Sequence, residues 1–289
     1  MAAIATESGM HAKIALSCIE RGINVIIEKP VALSLEDADE IIRMSGRKGV
    51  KVSVCHQNRF NKAVQELQRK VKAQSFGKVS HGAVNIRWNR NRAYYEQALW
   101  RGKWLHDGGC LLNQCIHGID LLVWSMGSDV DEVYGVTANR LHNYIEVEDL
   151  GVAVLKFKSG AIATIEGTTN IYKQNMEETL SIFGEKGSVK IGGKAVNEIA
   201  LWEFEDEDYF ASNVQKCEEI SDVYGNGHVR LYEDMIDAVE NNRLPYVDAH
   251  AGRYALEIIL AIYKSRKEGR AVKLPLLNFS TSDMLNTMP

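Results

Sequence analysis

Asn24-Val25-Ile26-Ile27-Glu28-Lys29-Pro30 is the stretch whose reading decides the fold. Three consecutive β-branched residues, ended by a charged pair and a proline, read as a buried parallel strand with Glu28 and Lys29 at its carboxyl end. That end is where open α/β sheets bind ligands. Proline fixes its own backbone and biases Lys29 away from helix, which places the ammonium on an extended turn at the mouth of the sheet. Lys29 is the first candidate for chemistry; taken alone, a lysine at a strand end reads rather as a surface residue, and it is the Gly-Gly…His motif that tips the reading toward function.

Outward from this stretch the unit repeats. Ala2 to Thr6 reads as a strand, Glu7-Ser8-Gly9 as a turn, and His11 to Glu20 as an amphipathic helix closed by Gly22. After the central strand, a helix is expected from Leu35 to Ser45, with Ser34 as N-cap and Asp37 at N3, then a strand from Val50 to Cys55. Alternating strands and helices predict a right-handed parallel sheet. One more helix, Asn61 to Ala73, follows before the apolar period changes to two.

Val79 to Trp88, Val130 to Asn139, Leu150 to Phe157 and Ala161 to Asn170 then read as longer strands, with a turn at Lys158-Ser159-Gly160. Thr179 to Phe183 and Ser188 to Ile191 form a further hairpin, Glu203 to Asp208 reads as a solvated acidic loop, and Val229 to Glu240 and Ala249 to Lys267 are closing helices. The expected class is α/β: an incomplete doubly wound parallel sheet over residues 1–58, the C-terminal half of a dinucleotide-binding domain. Residues 59–289 are expected to form an α+β domain with a large, mostly antiparallel sheet, for substrate binding and oligomerisation.

Composition narrows the classes. The formal charge of -4 gives no field that favours nucleic acid or an anionic membrane. No apolar run approaches the roughly 18 residues of a membrane span, and Met1-Ala2-Ala3-Ile4 lacks a basic leader region, so a cytoplasmic protein is expected. Cys18, Cys55, Cys110, Cys115 and Cys217 are odd in number and lack C-x-x-C spacing, which reads as reduced thiols. Cys110, Cys115 and His117 match no zinc spacing, and no metal is expected.

A dinucleotide-binding sheet opens with a strand, a G-x-G-x-x-G turn and a helix, and this sequence contains no such turn. Gly187, Gly192 and Gly193 flank strands and open no helix. In the strand order 3-2-1-4-5-6, Ala2 to Thr6 takes the place of strand 4, beside a strand 1 that the chain lacks. An uncovered parallel edge aggregates, so either a partner covers it or roughly 60 further residues precede it.

Gly108-Gly109-Cys110-Leu111-Leu112-Asn113-Gln114-Cys115-Ile116-His117 supplies a second motif, continued by Asp120. With Ala5-Thr6 and His11, Glu28-Lys29-Pro30, and the C-terminal Gly227-His228 and Ala261-Ile262-Tyr263-Lys264-Ser265, the ordered set resembles the Gfo/Idh/MocA oxidoreductases over nearly the whole chain. The resemblance implies a Rossmann sheet and a NAD or NADP cofactor contacted by Thr6, His11, Glu28 and Lys29. It implies catalysis by Lys29, His117 and Asn113: the lysine touches the reacting sugar hydroxyl, and the histidine exchanges its proton. Imidazole titrates near neutral pH, and an ammonium stabilises a developing alkoxide.

Many members carry aspartate where this chain has Asn113. An amide orients imidazole without a full charge, so Lys29 or a substrate carboxylate shares the task; Asn113 and His117, at i and i+4, are expected on one helix face. Asn113 together with the run from Ile86 to Tyr95 and Trp100-Arg101-Gly102 resembles enzymes that oxidise the 3-hydroxyl of UDP-N-acetylglucosaminuronic acid. That implies substrate contacts from Arg87, Asn89, Arg90, Arg92, Arg101, Asn113 and Gln114, since arginine forks fit carboxylate and pyrophosphate.

The plainer readings stand beside these. The arginines also read as a solvated basic loop, and His117 as a satisfied core histidine. Asn58-Arg59-Phe60 either lines the cleft between the lobes or links them, and Tyr172 and Lys173 read mainly as packing residues. The missing glycine turn leaves open a catalytically silent sugar-binding or assembly protein derived from such an enzyme. Val152, Val154, Ile162 and Thr164 share one sheet face that needs cover, which points to a homodimer or homotetramer.

Overall fold

The protein is described by a computed structural model that covers residues 1–127, 129–193, 196–205 and 226–287. In chain order the elements are β1 (Ala2–Ile4), α1 (His11–Glu20), β2 (Val25–Ile27), α2 (Leu35–Lys48), β3 (Val52–Val54), α3 (Lys62–Lys72), β4 (Val79–Arg87), α4 (Arg92–Glu96), α5 (Cys110–Asn113) and α6 (Ile116–Ser125). They continue with β5 (Val130–Ala138), β6 (Leu150–Phe157), β7 (Ile162–Thr168), β8 (Glu177–Gly184), β9 (Gly187–Gly192), β10 (Glu198–Phe204), α7 (Gly227–Glu240), α8 (Ala249–Glu268) and β11 (Val272–Lys273).

β1, β2 and β3 pair in parallel in that order, with Ile26 opposite Ala3 on one side and Ser53 on the other. Val25, Ile26 and Ile27 are all buried because both faces of β2 are covered. Val25 and Ile27 join the main core with Ala15 and Ile19 of α1 and Leu35 of α2. Ile26 points the other way, into a small cluster with Cys55 and with Leu231 and Met235 of α7. α2 begins where expected: the Ser34 hydroxyl accepts the Asp37 N–H at 3.1 Å, acidic residues fill the first turn, and Gly49 in the left-handed region (φ 67°) ends it.

The second sheet has eight strands in the order β10-β9-β8-β4-β7-β6-β5-β11, antiparallel except for the parallel pair β4–β7. α6 and α8 pack on one face. On the other, Tyr134, Val136, Val152, Val154 and Ile162 stay about half exposed. Gly151 and Gly167 let α5 sit close to the sheet, since a Cβ on either would come within 2.6 Å of the Leu111 side chain. α8 spans both sheets: Gly252 lies against Val54, and Arg253 pairs with Asp39 of α2 at 2.6 Å.

Two expectations are corrected. Glu203 and Phe204 belong to β10 rather than to a loop, because Phe204 packs on Phe76 and Trp202; residues 206–208 of that acidic run, and Cys217, lie outside the described residues. The helix expected to carry both Asn113 and His117 is two helices, broken at Gln114 and Cys115, so the i and i+4 relation does not hold. Among the described residues no helix is long and apolar enough to cross a membrane.

Candidate active site

One cleft of about 400 Å³ lies where the two sheets meet. Ala5, Thr6, Glu28 and Lys29 reach it from the carboxyl ends of β1 and β2, Gln57 and Asn58 from the turn after β3, and Asn113, Gln114 and His117 from α5 and α6. The segment after β4 closes the remaining side with Trp88, Arg90, Tyr94, Trp100 and Arg101. Six of these residues, Gln57, Asn58, Trp88, Arg90, Arg101 and His117, each keep a buried polar side-chain atom with no hydrogen-bond partner among the described residues. The lining is largely polar, with Glu28, Lys29, Arg90, Arg101, Asn113, Gln114 and His117 beside the aromatic rings.

Lys29 donates from Nζ to the backbone carbonyl of Asn113 at 2.5 Å. Burial pushes its ammonium below the usual lysine range, opposed by the negative charges of Glu28 and Asp107. Burial acts on Glu28 in the opposite sense, but a hydrogen bond from His228 and the charge of Lys29 outweigh it and hold the carboxyl below its ordinary value. His117 is pushed well below the ordinary histidine value, first by burial and then by the charge of Lys29. It is therefore a neutral imidazole at neutral pH.

Behind His117 stands a second buried imidazole. The His56 ring meets the His117 ring edge-on at 5.8 Å, and its Nδ1 lies 4.0 Å from Asp120 Oδ2. Asp120 is claimed by Arg59 through a two-pronged contact at 2.6 and 2.7 Å, and Arg59 lies over the Trp124 ring. Arg59 is thus structural, while Asn58 lines the cleft. On the opposite wall the His11 ring nitrogens lie 2.8 Å from the Pro30 carbonyl and 3.1 Å from that of Thr6, tying together the turns that carry Thr6 and Lys29.

The profile of an oxidoreductase family's NAD-binding Rossmann fold matches residues 1–56, and that of its C-terminal alpha/beta domain matches residues 68–274. The chain belongs to the Gfo/Idh/MocA oxidoreductase family. It is 37% identical to the WlbA dehydrogenase from Bordetella pertussis, solved with NADH and UDP-GlcNAcA, covering 95% of this chain and 79% of that one at a TM-score of 0.90. The WlbA enzyme from Chromobacterium violaceum, solved with the same two ligands, is 39% identical over 95% of this chain and 77% of that one, with a TM-score of 0.86. A myo-inositol 2-dehydrogenase from Thermotoga maritima is 24% identical over 94% of this chain and 78% of its own length.

Within this Gfo/Idh/MocA chain the structure brings Thr6, His11, Glu28, Lys29, Arg90, Arg101, Asn113, Gln114 and His117 to one cleft. It places three other residues elsewhere. Arg87 is neutralised by Glu166 and Glu177, both at 2.5 Å, on the surface of the large sheet. Arg92 is exposed and pairs with Glu96 at 2.7 Å, and Asn89 spends its amide on the Ile171 carbonyl at 2.5 Å. Asn113 does not orient His117: its amide donates to Asp107, and its oxygen accepts from Gln114 at 2.5 Å.

Sequence reasoning missed Asp107, His56 and Gln57 as site residues, whereas Trp88, Tyr94 and Trp100 fall within the runs Ile86 to Tyr95 and Trp100 to Gly102 that carried the uronate resemblance. Asp107 directly precedes the glycine pair, and that adjacency was the one available signal. Gly109, at φ 97°, is required there, because a Cβ would fall 2.0 Å from a Glu148 carboxyl oxygen.

Proposed function

We propose that this protein is a NAD(P)-dependent dehydrogenase acting on the 3-hydroxyl of a UDP-linked N-acetylated hexuronic acid. One observation carries the reading: Lys29 and neutral His117 share a cleft with two arginines held against aromatic rings. Arg90 lies 5.0 Å from the Trp88 ring and 5.1 Å from Tyr94; Arg101 lies 4.2 Å from Tyr94 and 4.8 Å from Trp100. A guanidinium steadied on a ring keeps its N–H edge for a carboxylate or pyrophosphate. The UDP-GlcNAcA and NADH in the two WlbA structures support the same ligand class.

The chemistry follows from the chain's own groups. His117 accepts the proton of the hydroxyl being oxidised, which its neutral form allows. Lys29, anchored on the Asn113 carbonyl, offers its remaining N–H groups to the oxygen as negative charge develops there. NAD(P), when bound, supplies the hydride acceptor. Thr6, Glu28, Lys29 and Asn58, which all line the cleft, would hold its nicotinamide end.

The test is reduction of NAD or NADP on addition of UDP-GlcNAcA, followed by nicotinamide absorbance. UDP-GlcNAc, which lacks the carboxylate, should be turned over with kcat/KM lower by about 100-fold, because arginine N–H groups are left unpaired. Equal turnover of the two sugars would remove the uronate assignment. Binding of UDP-GlcNAcA without reduction of either nicotinamide would instead favour a binding protein derived from the family.

The same reading includes self-association through the open face of the large sheet, where Val152, Val154 and Ile162 are 44 to 50% exposed. Light scattering of the purified chain should give a dimer or tetramer, and Val154→Lys with Ile162→Lys should shift it to monomer. A monomeric parent at micromolar concentration would sink this part.

A further inference from the structure

Asp107 is 3% exposed and does not line the cleft, yet it closes a ring of hydrogen bonds around it. Its Oδ2 accepts the N–H of Gly102, the residue after Arg101, at 2.7 Å, and its Oδ1 accepts from the Asn113 amide. The Asn113 oxygen accepts from Gln114 Nε2 at 2.5 Å, and the same nitrogen donates to the Tyr94 hydroxyl oxygen at 2.8 Å. Arg101 Nη1 donates to that oxygen as well, which returns the ring to the residue beside Gly102.

The direction of every bond in this ring follows from one group. A carboxylate is acceptor-only, so it turns the amino end of Asn113 toward itself and the oxygen of Asn113 toward Gln114. Gln114 must then present its amino end to both Asn113 and Tyr94. The Tyr94 oxygen, with two acceptor sites, is filled by Gln114 and Arg101, and only its O–H remains. Tyr94 lines the cleft, so that O–H faces ligand as a donor.

We propose that Asp107 is a positioning residue that polarises this ring and thereby presents Tyr94 to the substrate as a hydrogen-bond donor beside Arg101. The matching ligand group is an anionic oxygen, a carboxylate or a phosphate, and to that extent the inference rests on the nucleotide-sugar reading. In Asp107→Asn, one amide end faces either the Gly102 N–H or the Asn113 amino group, donor against donor. Asn113 and Gln114 are then free to reverse. In the double variant Asp107→Asn/Asn113→Asp the polarity is rebuilt: the new amide accepts from Gly102 and donates to the new carboxylate, which accepts from Gln114.

Two measurements test this on the full chain. Without ligand, the phenol of Tyr94, followed by NMR of ring-labelled tyrosine and assigned with Tyr94→Phe, should shift its titration in Asp107→Asn, where loss of the Asp107 charge lowers it and loss of the Gln114 donor to its oxygen raises it. It should return to the parent value in the double variant. By calorimetry, the Kd for UDP-GlcNAcA should rise about 10-fold in Asp107→Asn and recover to within about 3-fold in the double variant. Unchanged titration and unchanged affinity in Asp107→Asn would overturn the proposal.

If the parent binds no UDP-GlcNAcA while the Tyr94 titration still follows the substitution at position 107, the substrate assignment fails and the positioning role stands. If Asp107→Asn alone does not fold, the double variant decides, because only a polarised ring restores both readouts.

Discussion

Lys29→Met is expected to lower kcat/KM for the UDP-linked uronate by about 1,000-fold, with most of the loss in kcat. Methionine fills nearly the same volume, so the change removes charge and N–H donors rather than packing. Lys29 has Asn113's carbonyl as its protein partner at 2.5 Å and lies between the negative charges of Glu28 and Asp107. Its remaining donors belong to the cleft, beside the imidazole proposed to take the proton. An ammonium there acts on the oxygen as charge develops, so its removal is felt in the transition state more than in binding. The pH profile gives a second signature. Burial lowers the Lys29 pKa, so the parent's alkaline limb should fall below the ordinary lysine range of about 10.4, and the variant should lack that limb. A variant retaining kcat/KM within tenfold of the parent, with the limb intact, would take Lys29 out of the chemistry.

The strand that delivers this lysine is legible because Val25, Ile26 and Ile27 have no polar face to expose. What covers Ile26 is not legible. Leu231 and Met235 come from some two hundred residues downstream, and no local pattern announces that α7 returns to the first sheet. The arginines show the same limit. Arg87, Arg90, Arg92 and Arg101 look alike in the sequence, and their fates diverge only with the strand register. Arg87 sits opposite Glu177 on β8 and beside Glu166 on β7, so its charge is used before any ligand arrives. Among the described residues, Arg90 and Arg101 have no carboxylate as a hydrogen-bond partner and turn to the rings. Asn113 misled for a different reason. Helical spacing to His117 presumes an unbroken helix, and the break at Gln114 instead frees Asn113 for Asp107, a residue whose importance appears only when the turn before Gly108 is folded.

Glu178→Met is expected to stabilise the protein, and more at pH 8 than at pH 5. Glu178 lies on β8 and is 1% exposed, and neither carboxyl oxygen has a hydrogen-bond partner among the described residues. With no compensating contact, burial alone raises its pKa from 4.5 to about 8. The folded value lies above the unfolded one, so the unfolded chain releases the proton first as pH rises. Between about pH 4.5 and about pH 8 the native state therefore loses stability, by up to about 1.4 kcal/mol per pH unit. Below that window the acid is neutral in both states and the pH-dependent cost vanishes. Methionine has similar shape and no titration, so urea midpoints should converge at low pH and separate as pH rises. Glu148 is likewise raised to about 8, but it accepts the Leu111 N–H and contacts the Tyr263 hydroxyl, both at 2.8 Å, so it stays in both proteins and leaves a shared residual slope. Parallel pH dependences in parent and variant would show that Glu178 is solvated or paired in the folded state. A real difference would locate a stability cost directly under α6, since a Cβ on Gly118, next to His117, would lie 3.1 Å from the Glu178 carboxyl.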